Sequence, residues 1–136
     1  MDRISVWSPS FEPAKGGIEA LSADVVEACS REWDAKGLPV WSGPGRGVFS
    51  KLGFCWRVFL DGVTRRPRAV ILMHVHLLPL ATLLKKVFGF RLAVWLHGIE
   101  VWDGPDRREI YGADEVDLFI AISQVTVART SGWRSA

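Results

Sequence analysis

The sequence predicts an α/β domain of doubly wound character, in which a mostly parallel sheet carries helices on both faces. Two observations support this fold class. Short β-rich runs alternate with stretches of helical periodicity, and no long hairpin signal joins two strands. The run Ala69 to Met73 also has too many consecutive apolar residues for a half-exposed strand, which is typical of a central parallel strand covered on both faces.

The first part of the chain predicts a strand, a glycine loop, a helix and a second strand. Ile4–Trp7 is a short β-rich run that stops at a Ser-Pro pair, where proline removes a backbone donor. Apolar residues then recur at helical spacing over 18–36, and Gly37 is placed to cap that helix. A short strand is expected at 38–41, followed by a Gly- and Pro-rich loop at 42–47, the segment we expect to be most mobile.

The same alternation continues to the end of the chain. In order, we expect a helix at 48–63, a strand at 69–73, a helix at 77–88 capped by Gly89, a strand at 91–96, a turn at 103–105, a short helix at 107–111 and a strand at 116–122. In such sheets, ligands bind beyond the carboxyl ends of the strands. Functional residues are therefore expected at that edge.

The composition indicates one globular domain. Its 136 residues are 49% hydrophobic and 24% charged, which disfavours a disordered chain. Lysine and arginine number 17 against 15 aspartates and glutamates, an excess too small to indicate a nucleic-acid partner.

Cysteine usage and the apolar runs favour a soluble, cytoplasmic protein. Cys29 and Cys55 lie in helical stretches without CxxC or metal-type spacing, so we expect buried, reduced thiols. Residues 1–4 do not lead into a long apolar core, so no secretory signal is expected. The longest apolar stretch, 69–84, is interrupted and too short to span a bilayer.

Two helical segments leave a peripheral membrane contact open as an alternative. Trp56, Phe59 and Leu60 are accompanied by several lysines and arginines between positions 51 and 66, and 83–88 joins two leucines to two lysines. The same patterns are typical of helices that pack on a core, and packing is the interpretation we favour. Contact with the inner face of the membrane stays the alternative.

A glycine pair opens the first predicted helix. Backbone N–H groups at Gly16 and Gly17, together with the helix dipole, favour an anion such as a phosphate. Neither the G-x-G-x-x-G fingerprint nor the P-loop pattern is present, and a bare Gly-Gly is often only a turn. Glu19, in the first turn, ordinarily complements the dipole.

Histidines follow two predicted strands. His97, with Gly98 and Glu100 beside it, is placed to direct a ring nitrogen at a ligand at the edge of the sheet. His74 and His76 have the i, i+2 spacing of metal ligands, but no third ligand accompanies them, so no metal is expected.

Ser123 ends the last predicted strand. The G-x-S-x-G nucleophile elbow is missing around it, which disfavours a serine hydrolase.

Three motifs, taken in order, resemble those of the N-terminal domain of family 4 glycosyltransferases, the retaining enzymes of GT-B fold. They are Pro13-Ala14-Lys15-Gly16-Gly17-Ile18-Glu19, similar to P-x-x-G-G-x-E; Leu96-His97-Gly98-Ile99-Glu100, similar to H-G-x-E or H-x-x-E; and Ala113-Asp114 with Phe119-Ile120-Ala121-Ile122-Ser123, similar to A-D … I-A-x-S. The resemblance runs across most of the chain.

The resemblance implies one Rossmann-like half, spanning 1–136, of an enzyme that transfers a sugar from a nucleotide-sugar donor to a sugar or lipid-linked acceptor. Gly16 and Gly17 would approach the donor diphosphate, and His97 would act as the catalytic residue beside the reacting sugar. Glu19, His76, Gly98, Glu100 and Ser123 would line the substrate site.

The resemblance also implies which parts the reaction needs. The family uses no cofactor or obligatory metal, and it stabilises an oxocarbenium-like state and the departing diphosphate electrostatically. Its C-terminal half carries most nucleotide contacts, including two glutamates seven residues apart. Because 1–136 contains no such part, we expect this chain alone to be inactive, as a fragment, a truncated product or a subunit completed by a partner.

Two other classes stay open on the residues alone. A flavodoxin- or response-regulator-like binding domain would use the same sheet, but the regulator version expects acidic residues where Ser8-Pro9-Ser10 stands. A nicotinamide-dependent oxidoreductase is weakened by the missing glycine fingerprint.

Overall fold

Strands and helices alternate along the chain. The computed structural model describes residues 1–41, 47–97 and 112–124. The strands are β1 (Arg3–Ser8), β2 (Asp34–Pro39), β3 (Ala69–Leu72), β4 (Arg91–Leu96) and β5 (Leu118–Ala121). The helices are α1 (Gly17–Ser30), α2 (Val48–Thr64) and α3 (Leu78–Phe88), and short 3₁₀ turns lie at Pro13–Lys15, Val75–Leu77 and Ala113–Glu115.

The five described strands form one parallel sheet in the order β2-β1-β3-β4-β5. Strand β1 pairs on both sides, and Trp7 lies opposite Leu38 of β2 and Leu72 of β3. The chain runs outward from β1 to β2 and then restarts on the other side at β3. The boundary between β1 and β3 is therefore the topological switch point, where ligands bind in sheets of this kind.

Helices cover both faces of the sheet. On one face, α2 and α3 bury a core that includes Trp7, Phe54, Leu72 and Leu92. On the other face, Val25 of α1 packs with a smaller cluster that includes Val6 of β1 and Met73 just after β3. Val6 and Trp7, which are successive residues of β1, thus point to opposite faces of the sheet. Both residues are apolar, as expected for a parallel strand that is covered on both faces. The predicted doubly wound α/β fold is confirmed.

Most element boundaries in the second half of the chain agree with the prediction. Helix α2 and strand β4 match within one residue, and α3 begins one residue later than expected. Helix α3 ends at Phe88 and is capped by Gly89, whose φ of 74° is the left-handed conformation typical of a C-cap glycine. Strand β3 ends at Leu72, one residue early, and β5 spans Leu118–Ala121 within the predicted 116–122.

The prediction for 18–41 was wrong in its boundaries. Helix α1 ends at Ser30 instead of continuing to 36, and β2 occupies Asp34–Pro39. Gly37 does not cap a helix: it lies inside β2, opposite Val6, and a Cβ on it would lie 2.9 Å from the Phe11 ring. Parallel pairing with β1 and the close approach of Phe11 decide the conformation here, and neither is visible in local periodicity.

Several predictions lie outside the described residues. These are the loop at 42–46, the turn at 103–105 and the short helix at 107–111, together with site residues Gly98 and Glu100.

A buried polar network joins α2 to the first two strands. Asp61 is 4% exposed, accepts a hydrogen bond from the hydroxyl of Ser5, and forms an ion pair of 3.1 Å with Arg65. The same guanidinium lies 3.2 Å from a carboxylate oxygen of Asp34 in β2. Because a buried carboxylate needs such partners, the network fixes the position of the last turns of α2.

The expectation that Trp56, Phe59 and Leu60 pack on the core was wrong. All three are exposed, and Trp56 is 60% exposed. The side of α2 that contacts the sheet is occupied by other residues, namely Phe54, Val58, Asp61 and Gly62. For 83–88 the packing interpretation is correct at Leu84 and Phe88, whereas Leu83 and Val87 are exposed.

Among the described residues, no helix combines the length and apolar character that crossing a membrane requires. Cys29 and Cys55 are free thiols as predicted, but each is half-buried. Burial raises the pKa of the Cys29 thiol.

Candidate functional site

The carboxyl edge of the sheet gathers most of the predicted site residues. All described strand pairs are parallel, so β1, β3, β4 and β5 end at the same edge. The loop to Gly16 and Gly17 follows β1, His76 follows β3, His97 follows β4 and Ser123 follows β5. The Gly16-Gly17 loop and His97 thus lie on the same edge, on strands separated by β3 alone.

The glycine pair lies at the start of α1, as predicted. Gly16 has an extended backbone, and Gly17 is the first helical residue, so the first N–H groups of α1 point toward the edge of the sheet. Gly17 is exposed, and an added Cβ there would meet nothing within 4 Å. Packing within the protein therefore does not require a glycine at this position.

Glu19 turns back over the loop. A Cβ on Gly16 would lie 2.7 Å from the carboxylate oxygen Oε2 of Glu19, so the carboxylate is next to the backbone at the helix N-terminus. This position complements the helix dipole. It also leaves a hydrogen-bond acceptor beside the loop.

A buried serine cluster anchors the glycine loop, and sequence reasoning missed it. Ser8, at the end of β1, donates its hydroxyl to the carbonyl of Ser10 at 2.9 Å and lies 2.8 Å from the hydroxyl of Ser22 in α1. Ser22 donates in turn to the carbonyl of Ile18 at 2.6 Å. These contacts join the strand, the loop and the first turns of the helix, so they hold the glycine pair in place. Serines on both sides of Pro9 were the available signal.

His97 is tethered to the neighbouring strand. Its Nε2 lies 2.6 Å from the carbonyl oxygen of Met73, directly after β3, and the ring is half-buried. A carbonyl oxygen only accepts hydrogen bonds, so Nε2 carries the proton in this arrangement. The backbone just after β3 thus fixes the orientation of the imidazole at the carboxyl edge of the sheet.

A mostly apolar pocket of about 510 Å³ opens on the α2 side of the same edge. Its lining residues are Pro9, Val40, Trp41, Lys51, Phe54, Cys55, His74, His76, Leu77 and Leu80. The Lys51 ammonium lies 5.9 Å from the centroid of the Trp41 ring, a cation–π contact at the pocket wall. The pocket combines apolar surface with one cation, which suits a ligand that has an apolar part and a polar or anionic group.

The two strand-end histidines stack on each other. The rings of His74 and His76 lie 4.5 Å apart with an angle of 22° between their planes, and His74 Nδ1 accepts a hydrogen bond from the backbone N–H of His76. His76 is exposed at the pocket. Across residues 1–41, 47–97 and 112–124, no group of three or more potential ligands could hold a metal ion.

Ser123 is the outermost of the predicted site residues. It lies two residues after the end of β5, half-buried, on the far side of β4 from the glycine loop. The structure thus brings six predicted site residues to one edge of the sheet: Gly16, Gly17, Glu19, His76, His97 and Ser123. At this edge the glycine loop lies on the α1 side of the sheet, and the pocket lies on the α2 side.

No protein-family model matches the chain, and no curated protein sequence matches it.

Proposed function

We propose that this chain forms the acceptor-side half of a retaining glycosyltransferase that uses a nucleotide-sugar donor. The observation that supports it is the shared carboxyl edge, where the N-terminus of α1 at Gly16-Gly17 and the imidazole of His97 lie on either side of the β1–β3 switch point. An exposed helix N-terminus attracts a diphosphate, and a fixed histidine on the same edge of the sheet can contact a sugar.

Each group would have a distinct part in the reaction. The bond between the anomeric carbon and the donor phosphate oxygen breaks, the acceptor oxygen forms a bond to the same carbon, and the proton of the acceptor hydroxyl passes to the departing diphosphate oxygen. The first N–H groups of α1 would stabilise the departing diphosphate. His97, held by Met73, would position the sugar, and Glu19 would accept hydrogen bonds from sugar hydroxyls.

The pocket on the α2 side would receive the acceptor. Its lining is mainly apolar, and Lys51 supplies one positive charge beside Trp41. An acceptor with an apolar part, such as a lipid-linked sugar, fits this chemistry better than a fully polar saccharide.

A glycine substitution tests the donor site. Gly17→Ala adds a Cβ that meets no protein atom within 4 Å, so the variant should fold normally but obstruct a diphosphate that approaches the backbone. Gly53→Ala is the matched control, because it is also a helical glycine with open space around its Cβ. In the family that this chain resembles, most nucleotide contacts come from the other half of the enzyme. We therefore expect the chain to bind a nucleotide sugar weakly, with millimolar affinity.

The measurement is calorimetric titration of the full chain with a panel of nucleoside diphosphate sugars. We expect one nucleotide sugar to bind, with affinity reduced about tenfold by Gly17→Ala, a loss of roughly 1.4 kcal/mol, and unchanged by Gly53→Ala. The proposal is wrong if no nucleotide sugar binds, or if Gly17→Ala binds as tightly as the unmodified chain.

One observation favours a second candidate. The strand order β2-β1-β3-β4-β5 is also that of flavodoxin-like domains, which bind a flavin nucleotide at the β1–β3 switch point. Quenching of riboflavin phosphate fluorescence by the chain, with no response to nucleotide sugars, would favour that candidate.

A further inference from the structure

Helix α2 is apolar on two sides. Its inner side carries Phe54 and Val58, which are buried in the core. On the opposite side, apolar residues recur every three or four positions and are all exposed: Phe49, Leu52, Trp56, Phe59, Leu60 and Val63. A helix that is hydrophobic all round is normally covered all round. We name these six residues, together with Leu83 and Val87 of α3, the outer face.

The outer face is continuous between the two helices. The rings of Trp56 and Phe59 are stacked with centroids 6.1 Å apart, and Phe59 lies 5.7 Å from Phe88 of α3. Val63 and Val87 line one pocket of about 390 Å³, together with Arg66. Contiguous exposed apolar surface of this kind marks an interaction site, whereas scattered apolar residues do not.

The charge of this region is opposite in sign to that of the rest of the chain. Residues 48–88 contain seven lysines and arginines and one acid, Asp61, which is buried. The remaining residues contain 17 − 7 = 10 cations and 15 − 1 = 14 acids. A chain of almost balanced net charge thus concentrates its positive charge on α2, α3 and the segment between them.

Two of these cations border the outer face without an acidic partner. Arg66 and Lys86 are exposed, and no carboxylate of the described residues forms an ion pair with them. Arg66 lines the pocket beside Val63 and Val87, and Lys86 precedes Val87 in α3. Apolar surface bordered by unpaired positive charge is complementary to anionic lipid headgroups above acyl chains.

We propose that the outer face docks this protein on the surface of an anionic lipid membrane. Trp56 and the neighbouring phenylalanines would enter the boundary between headgroups and acyl chains, where aromatic side chains are favoured. A second copy of the chain fits less well, because a two-fold contact through this face would bring the same cations together. The proposal does not depend on sugar transfer.

Vesicle sedimentation with the full chain tests the proposal. We expect binding to vesicles of equal parts phosphatidylcholine and phosphatidylglycerol, and weaker binding to phosphatidylcholine alone. The double variant Trp56→Gln/Leu60→Gln should lose about tenfold or more of the affinity, since each removed apolar side chain contributes on the order of a few-fold to tenfold. Lys86→Glu should weaken binding by roughly fivefold or more at low salt.

A matched control separates docking from general tryptophan effects. Trp33→Gln removes a tryptophan that is 39% exposed just before β2, away from the outer face, and this variant should bind vesicles like the unmodified chain. Thermal melts of the variants should differ only slightly from that of the unmodified chain, because the changed side chains are exposed.

Three results would overturn the proposal. They are no binding to anionic vesicles, equal loss in the Trp33 and outer-face variants, or self-association that the outer-face variant abolishes while vesicles stay unbound. Nucleotide-sugar binding is measured without vesicles, so either proposal can fail while the other holds.

Discussion

The inner and outer sides of α2 both carry large apolar residues, but these residues lie in different environments. Phe54 and Val58 on the inner side are 2% exposed, whereas Phe49 on the outer side is 90% exposed. Periodicity therefore identifies a helix and its apolar sides but does not show which side meets the core. Burial separates a residue that stabilises the fold from one that is available to a partner, and variants on the two sides should differ accordingly.

The largest expected difference is between two aromatic residues of α2. Phe54→Ala should lower the free energy of unfolding by about 4 kcal/mol, because it leaves a cavity beside Trp7, whose ring lies 5.7 Å from that of Phe54. Trp56→Ala should cost at most about 1 kcal/mol. Urea denaturation measures both. Equal losses would contradict the assignment of the two sides.

The buried carboxylate of α2 should give the next largest effect. Asp61→Ala removes the partner of the Ser5 hydroxyl and of the Arg65 guanidinium, and we expect a loss of about 3 kcal/mol. Ser5→Ala, which removes only the hydroxyl, should cost less, about 1 kcal/mol. The order of the two losses is read from urea midpoints, and a smaller loss for Asp61→Ala would argue against an inner-side role for this carboxylate.

Two glycines of α2 sharpen the comparison further. A Cβ on Gly62 would lie 2.5 Å from the Phe88 ring, whereas a Cβ on Gly53 would meet nothing within 4 Å. Gly62→Ala should therefore destabilise the protein by about 2 kcal/mol through overpacking. Gly53→Ala should stabilise it by up to about 1 kcal/mol through helix propensity. Thermal melts should shift in opposite directions, and shifts of the same sign would contradict the packing of α2 on α3.

An exposed ion pair outside α2 should give the smallest effect. Burial raises the pKa of Asp117, but hydrogen bonds from Lys85 and the Leu92 N–H outweigh it and hold the pKa below its ordinary value. A carboxylate whose pKa is lower in the folded state than in the unfolded state stabilises the fold at pH values above the unfolded-state pKa. This stabilisation is lost as the pH falls through the folded-state pKa. Asp117→Asn should thus lower the free energy of unfolding by about 1 kcal/mol at pH 7. This difference from the unmodified chain should shrink below roughly pH 4. A deficit that is constant with pH would contradict this.

The fold was predictable because each element carries its own local signal. The continuous apolar run at β3 indicated a covered parallel strand, and Gly89 marked the end of α3. The boundary between α1 and β2 was not predictable, because Trp33 continues the helical spacing while pairing with β1 begins at Asp34. Long-range strand pairing decided that boundary.

The candidate site was predictable in position but not in contacts. Strand ends placed His97 and the glycine pair at one edge. The bond from His97 to the Met73 carbonyl joins residues 24 positions apart, and the serine cluster joins Ser8 to Ser22, so neither follows from local sequence. The exposure of Trp56 likewise depends on which side of α2 meets the sheet.

The most direct test of the account is an NMR titration of the isotopically labelled full chain with nucleotide sugars. We predict that one of them shifts the amide resonances of Gly16 and Gly17 and the imidazole resonances of His97, while Arg3 and Ala69 at the opposite edge stay unchanged. Unchanged resonances at Gly16, Gly17 and His97, or shifts confined to the amino ends of the strands, would contradict a sugar-nucleotide site at the carboxyl edge.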